Sequence, residues 1–288
     1  MEINGYTRTC GLIGNPVEHT MSPYIHNTLA HMLSHNLAYV PFHVEQGQVP
    51  DAVKGAYALN LLGLNVTVPY KSEVMASLCQ IDDLAKKIGA VNTLVRVEGG
   101  FKGYNTDMPG LYRAMCSEGI RIEGEDVVLL GAGGAARAVA FLCASKNVAR
   151  VYLLNRSLAR AQAVAKEVNE KTGKECIYPM ALSDYRSLPD RKFLAIQATS
   201  VGMYPNMDKA VIEDQEFYQK IHTGYDLIYR PSETKFMKMV KEQDGKAFHG
   251  LKMLLYQGII AYELWNKLSV PEETALEVYQ ALKEKMEL

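Results

Sequence analysis

The sequence predicts an α/β protein of two domains, and three observations predict it. An apolar run at residues 127–130 passes directly into Gly131-Ala132-Gly133-Gly134-Ala135-Ala136-Arg137 and then into a stretch of helical composition. Gly131, Gly133 and Ala136 stand at G-x-G-x-x-A spacing, the pattern of a strand, a tight turn and a helix start. A second apolar strand, residues 151–154, follows at the distance of a β-α-β unit. Ahead of it, residues 1 to about 106 carry their own series of strands and helices, and 288 residues suffice for two ordinary domains.

The turn at Gly131 points to a dinucleotide. The first glycine permits the turn, the second lets backbone approach a pyrophosphate, and a small third residue lets helix and strand pack closely. The helix start offers unpaired N–H groups and a partial positive charge, so Gly131, Ala132, Gly133, Gly134 and Ala135 are candidate cofactor-binding residues. The end of the second strand distinguishes the dinucleotides. An acidic residue there would accept from the ribose 2′-hydroxyl of NAD. This chain has Asn155-Arg156-Ser157, with Arg160 one helical turn on and no carboxylate. Guanidinium groups suit a 2′-phosphate, so NADP is the expected cofactor.

Composition narrows the classes. Hydrophobic residues at 48% and charged residues at 22% are the balance of a globular protein. A net charge of −1 provides no general attraction to nucleic acid or anionic membrane. No apolar run approaches the roughly 18 residues of a membrane span, and residues 1–6 lack the basic and apolar regions of a signal peptide. The five cysteines are scattered without a C-x-x-C, as in a reduced cytoplasmic protein. His31 and His35 have metal-ligand spacing on a helix but no third ligand, and are expected to be surface histidines; no metal is expected.

The expected elements, in order, begin with a strand at 8–13 and a helix at 22–33, with Ser22 and Pro23 as N-cap and first helical residue. Thr20 and Ser22 can cap that helix or bond an anionic or hydroxylated ligand at its start. A strand at 37–44 and a helix at 49–59 follow. In a strand at 63–68, alternation places Leu64, Val66 and Val68 on one face and Asn65 and Thr67 on the other. Lys71 lies just past its C-terminal end, the side on which ligands sit in open α/β sheets. Helices at 72–78 and 81–88, strands at 89–95 and 101–104, and a helix at 110–117 complete the first series, with Asp107 in the cap region of the last. Further strands are expected at 193–197, ahead of Thr199, and at 224–231. Two C-terminal helices are expected at 250–266 and 271–286. Residues 166–176, the most polar stretch, are expected to be surface helix and loop.

Nine motifs in order now give the chain a family resemblance: Gly14-Asn-Pro with His19-Thr-Met-Ser-Pro23; Asn65-Val-Thr-Val-Pro-Tyr-Lys71; Gly89-Ala-Val-Asn-Thr93; Asn105-Thr-Asp107; Gly131 to Arg137; Asn155-Arg-Ser157 with Arg160; Ala198-Thr-Ser200 with Gly202-Met203; Asp226-Leu-Ile-Tyr229 with Pro231; and Gly250 with Met253 to Gln257. On these the chain resembles the shikimate dehydrogenases of the shikimate/quinate dehydrogenase family, over nearly its whole length. The resemblance implies an N-terminal α/β substrate domain, residues 1–106 with 250–288, and a Rossmann-like NADP-binding domain, residues 107–249. The C-terminal helices would return to the first domain, and the active site would lie in the cleft. It implies NADPH-dependent, reversible reduction of 3-dehydroshikimate to shikimate in aromatic amino acid (chorismate) biosynthesis. Carried over by position, Lys71 and Asp107 are the catalytic pair. Thr20, Ser22, Asn65, Thr67, Asn92, Tyr229 and Gln257 hold substrate, and Thr199, Leu227 and Gly250 lie near the nicotinamide. Thr20, Met108, His249 and Lys252 depart from the family's usual residues.

The chemistry of the residue types agrees. Reducing a ketone needs a proton for the forming alkoxide, and the reverse needs a base. A lysine can serve both, and a neighbouring carboxylate favours its ammonium and fixes its position. Two alternatives remain: a quinate/shikimate dehydrogenase using NAD or NADP, and a non-catalytic NADP-binding regulatory module, which need not keep both Lys71 and Asp107. A folate-linked dehydrogenase fits the paired polar sites Asn65/Thr67 and Thr20/Ser22 less well than an enzyme for a small polyol acid. The expected partner is the small-molecule substrate, without nucleic acid or membrane, for a monomer or homodimer in the cytoplasm.

Overall fold

The computed structural model describes residues 2–287. The chain divides into two compact units, Met1–Leu111 with Leu254–Leu288, and Tyr112–Met253. The first unit opens with β1 (Arg8–Gly14), α1 (Ser22–Met32), β2 (Leu37–His43), α2 (Val49–Ala58), β3 (Gly63–Val66), β4 (Gln80–Ile81), α3 (Asp83–Ile88), β5 (Thr93–Val97), β6 (Gly100–Tyr104) and α4 (Asp107–Ser117). Its sheet has the order β2-β1-β3-β5-β6-β4. β1 runs parallel to β2 and β3, whereas β5 is antiparallel to both its neighbours and sets Asn65 opposite Thr93. Leu12, Ile13, Leu64, Val66 and Leu94 are buried along these strands, and of the alternating residues Leu64, Val66 and Val68 the first two are among them.

The second unit continues with β7 (Asp126–Leu130), α5 (Gly134–Ser145), β8 (Arg150–Asn155), α6 (Leu158–Thr172), β9 (Ile177–Ala181), β10 (Phe193–Gln197), α7 (Gln215–Gln219), β11 (Ile221–Asp226), α8 (Lys235–Glu242) and β12 (Lys246–His249). All six strands are parallel, in the order β12-β11-β10-β7-β8-β9. That order is the doubly wound dinucleotide-binding arrangement, and β7 and β10 are buried along their whole length, with Val151, Leu153 and Leu154 of β8 beside them, as a parallel sheet covered on both faces requires. The chain ends with α9 (Leu251–Asn266) and α10 (Glu272–Met286). Among the described residues, no helix is long and apolar enough to cross a membrane.

Several expectations of the sequence are corrected. The strand expected at 63–68 stops at Val66, because the chain turns: Tyr70 N–H bonds to Thr67 O, and Val68 is 65% exposed rather than buried with Leu64. The helix expected at 72–78 is a short 3₁₀ turn, Glu73–Ser77. Gln80–Ile81 is a strand and not the start of α3. Gly89 ends α3 in the left-handed region (φ 72°) instead of opening a strand, and β5 starts only at Thr93. Met21 already has helical backbone, so Ser22 lies inside the first turn of α1 and its side chain caps nothing. Asp107 does not cap α4 either; Asn105 Oδ1 takes the Met108 N–H at 3.3 Å, which leaves the Asp107 carboxylate for other partners. His35 lies beyond the end of α1, and its Nδ1 is 2.7 Å from the Tyr262 hydroxyl. The strand expected at 224–231 is Ile221–Asp226. β9, β12, α7 and α8 were not anticipated: β9 carries Pro179 on a sheet edge, where proline is tolerated, and the other three are short.

Two buried contacts set the geometry within the units. In the first, Trp265 of α9 donates its indole N–H to Leu94 O at 2.8 Å, fastening α9 to β5. This approach needs Gly63, since a Cβ there would lie 2.1 Å from Trp265 Nε1 and 2.5 Å from Leu94 O. In the second unit, Asp226 and Gln197 are fully buried at the C-terminal ends of β11 and β10. Asp226 accepts from Thr234 Oγ1 (2.6 Å), Ile228 N–H (2.9 Å) and Gln197 Nε2 (3.3 Å). Gln197 also donates to Val201 O (3.0 Å) and accepts from Thr199 N–H (2.5 Å). One polar cluster thereby sets the loops after both strands. Burial pushes the Asp226 carboxyl up to about 6, against the three hydrogen bonds that lower it.

Gly63→Ala is expected to destabilise the protein by about 2–4 kcal/mol, measured by denaturant unfolding, because the indole cannot keep its bond and admit the methyl. A loss below about 0.5 kcal/mol would mean the contact is not tight. For Asp226 the folded pKa lies above the unfolded one. The fold therefore favours the protonated form, and its contribution to stability declines as pH rises from about 4 to about 6. Removing that charge should reverse the decline. The stability of Asp226→Asn relative to wild type is expected to improve by up to about 3 kcal/mol between pH 4 and pH 7. A difference constant with pH would contradict this assignment.

Candidate active site

In the first unit, sequence-distant residues converge on Asp107. Lys71 follows the turn after β3, and its backbone oxygen accepts the Val91 N–H at 2.7 Å. Its Nζ donates to Asp107 Oδ2 at 2.7 Å, with the lysine side chain 32% and the aspartate 16% exposed. Asn92 Nδ2 donates to Asp107 Oδ1 at 2.9 Å. The orientation of the Asn92 amide is forced, because its Oδ1 accepts from Thr106 N–H (2.8 Å), Thr106 Oγ1 (3.2 Å) and Thr93 Oγ1 (3.2 Å). With its oxygen saturated by donors, its nitrogen must face the carboxylate. The pair is thus a half-exposed ammonium on a carboxylate held from its other side by an amide.

The candidate substrate residues of this unit lie in four segments. Thr20 and Ser22 flank the start of α1, with Thr20 Oγ1 donating to Ser22 Oγ at 3.2 Å, so two hydroxyls stand within reach of one carboxylate. Asn65 on β3 donates to Asn92 O (3.2 Å) and Thr93 Oγ1 (3.0 Å). Thr67 lies in the following turn, its methyl so close to β1 that a Cβ at Gly14 would be 2.3 Å from it. Gln257 is on α9, directly against α4: a Cβ at Gly110 would be 2.7 Å from Gln257 N. Gly110 therefore lets the helix that begins with Asp107 pack on the helix that carries Gln257. Tyr229 belongs to the second unit, and burial raises its hydroxyl pKa.

The second unit holds the candidate cofactor residues. Gly131 has φ 112°, and a Cβ there would lie 2.8 Å from Thr199 Cγ2 and 3.1 Å from Ala198 O. Glycine is required by both conformation and contact. Gly133 and Gly134 have open space where a Cβ would be, and no side chain caps α5, so its first N–H groups remain available to a phosphate. Gly133, Gly134 and Ala135 are exposed, and Ala132 is half-buried. Asn155 bonds to Ser157 O at 2.9 Å and shapes the turn into α6. Arg156 and Arg160 are exposed, and neither takes part in an ion pair among the described residues. Arg156 also lines a pocket of about 480 Å³ with Ala181, Leu182, Tyr185 and Ile212. Glycine-lined backbone, an uncapped helix start and two unpaired guanidinium groups suit a dinucleotide with a 2′-phosphate. Gly250 N–H bonds to Ile228 O at 3.0 Å, and a Cβ there would be 2.2 Å from Leu227 O, so these two residues meet through bare backbone. Two of the unusual residues have structural partners: His249 Nδ1 accepts the Leu251 N–H, and Lys252 pairs with Glu118 at 2.7 Å.

Sequence reasoning missed Thr93, Thr106, Gln197, Asp226 and Thr234 as organisers. For Gln197 a signal existed: it is the lone polar residue closing an apolar strand, and buried polar groups need partners.

Comparisons with known proteins point to one family. Residues 12–94 match the family model described as the shikimate dehydrogenase substrate binding domain, and residues 115–201 match that of shikimate / quinate 5-dehydrogenase. The shikimate dehydrogenase (NADP(+)) of Desulforamulus reducens is 40% identical, covering 93% of each chain. A crystal structure of a shikimate dehydrogenase in complex with NADP+ superimposes with a TM-score of 0.87 at 38% identity, covering 97% of both chains. The shikimate 5-dehydrogenase of Listeria monocytogenes in complex with shikimate and NAD does so with a TM-score of 0.89 at 30% identity, over 96% of this chain and 98% of that one. With both family models matched and relatives of this identity covering nearly the whole chain, the chain belongs to the shikimate dehydrogenase family.

Proposed function

We propose that this chain is an NADP-dependent shikimate dehydrogenase. It interconverts 3-dehydroshikimate and shikimate in aromatic amino acid (chorismate) biosynthesis. The observation that carries the reading is the Lys71–Asp107 pair with Asn92 behind it. When bound, the dinucleotide supplies or takes the hydride. Ketone reduction adds that hydride to the carbonyl carbon and a proton to its oxygen. Lys71 delivers the proton from its ammonium, and in the reverse direction its neutral amine takes the hydroxyl proton. Asp107 holds Nζ in place, and Asn92 holds Asp107. Thr20 and Ser22 donate to the substrate carboxylate, whereas Asn65, Thr67, Gln257 and Tyr229 contact the ring hydroxyls. Gly131 to Ala135 receive the pyrophosphate, Asn155, Arg156, Ser157 and Arg160 the adenosine end, and Leu227 and Gly250 the nicotinamide end. Five free cysteines support a cytoplasmic location.

Three outcomes test this reading. Lys71→Ala should cut turnover of shikimate by about 10²–10⁴-fold with a much smaller change in KM, and Lys71→Met should do the same by removing charge alone. Near-normal turnover in either variant would eliminate Lys71 as the proton carrier. Arg156→Ala should raise KM for NADP by about 10–100-fold and leave that for NAD nearly unchanged, through the loss of a charge-assisted contact. Equal effects on both cofactors would refute the 2′-phosphate role. Shikimate should be preferred over quinate by at least about tenfold in kcat/KM, because the Thr20 methyl crowds the extra hydroxyl at the carboxylate-bearing carbon. An assay of both substrates with both cofactors decides this, and comparable quinate turnover would favour a quinate/shikimate enzyme.

A further inference from the structure

Asn65 has used its donors. Both Nδ2 hydrogens are directed into the protein, to Asn92 O and Thr93 Oγ1. Its Oδ1 accepts from the Tyr39 hydroxyl at 2.8 Å. Tyr39 is a β2 residue only 3% exposed, and every part of it is held. Its ring stacks on His26 of α1, with centroids 4.3 Å apart and planes 14° from parallel, and tilts against Trp265 at 6.0 Å. Its backbone is clamped by one side chain: Asn27 Nδ2 donates to Tyr39 O at 3.0 Å, and Tyr39 N–H donates to Asn27 Oδ1 at 2.9 Å. The Ser22 side chain lies beside the Tyr39 oxygen and bonds to Thr20. His26 is 1% exposed and burial holds it neutral, so no charge competes for the tyrosine.

We propose that Tyr39 is a positioning residue of the active site, which satisfies the Asn65 carbonyl oxygen and leaves the Ser22 hydroxyl to the substrate carboxylate. The inference rests on the reading of Ser22 and Asn65 as substrate-binding groups. Without the tyrosine proton, the half-buried Asn65 Oδ1 loses its hydrogen bond, and the Ser22 hydroxyl, which lies beside the Tyr39 oxygen, turns to it. A serine proton given to Asn65 is lost to the carboxylate. The larger cost falls on substrate binding, because Lys71 and Asp107 are held directly by each other and by the Asn92 side chain, which Asn65 reaches only through the Asn92 backbone oxygen and Thr93.

Tyr39→Phe in the full-length enzyme tests this by steady-state oxidation of shikimate with NADP. KM for shikimate should rise about 3–10-fold, with kcat and KM for NADP within about twofold of wild type. Placed in an Asn65→Leu background, Tyr39→Phe should add little, because the orphaned oxygen is gone. The double variant also remains informative if Tyr39→Phe alone does not fold, since replacing both partners removes the unsatisfied group. An unchanged shikimate KM in Tyr39→Phe would overturn the proposal. So would a parallel loss in kcat and both KM values, the mark of a merely structural tyrosine, or full additivity with Asn65→Leu. Failure of the wild-type enzyme to oxidise shikimate would instead overturn the functional reading.

Discussion

The burial of Asn92 is the constraint on which the first unit depends. An amide that is 5% exposed must find partners for an oxygen and two hydrogens within the protein. Thr93 beside it and Thr106 in the β6–α4 turn supply three donors to the oxygen. The nitrogen is then turned to Asp107, and Asp107 to Lys71. Three segments far apart in the chain are fixed relative to each other by the saturation of one carbonyl. A charged pair placed this way needs no deep burial and avoids most of the desolvation that a fully buried ion pair would incur. It stays partly open to solvent.

The second unit solves a comparable problem with backbone. Gly131 at φ 112° takes the Ala198–Thr199 loop against it, and Gly250 takes Leu227, so two close approaches occur where any side chain would intervene. The loops brought in are themselves held from behind by Gln197 and Asp226. Close backbone contact and a satisfied buried network leave little freedom in the loops at the C-terminal ends of β7, β10 and β11. Those ends form the face on which a doubly wound sheet meets its ligand.

Local features of the chain announced much of this. The glycine spacing at Gly131, the run of parallel-strand hydrophobics and the two arginines after β8 are properties of short segments, and they were legible because helix-start and turn chemistry act over a few residues. Element boundaries were less legible where tertiary contacts override local preference. Ser22 reads as a cap, yet Met21 is already helical. Val68 continues an alternating pattern, yet the chain has turned and left it exposed.

By itself, then, the sequence determined the two α/β units, the glycine turn after β7, Lys71 just past a strand end, Asp107 at a helix start and Asn65 on the polar face of a strand. The tertiary structure decided what those residues do to one another. Asp107 serves Lys71 instead of capping α4 because Asn105 caps it, and Asn65 turns its amide inward because Tyr39, Asn92 and Thr93 surround it. Partners 15 to 36 residues apart in the chain are chosen by the pairing of strands and the burial that follows, and no pattern within one segment encodes that choice.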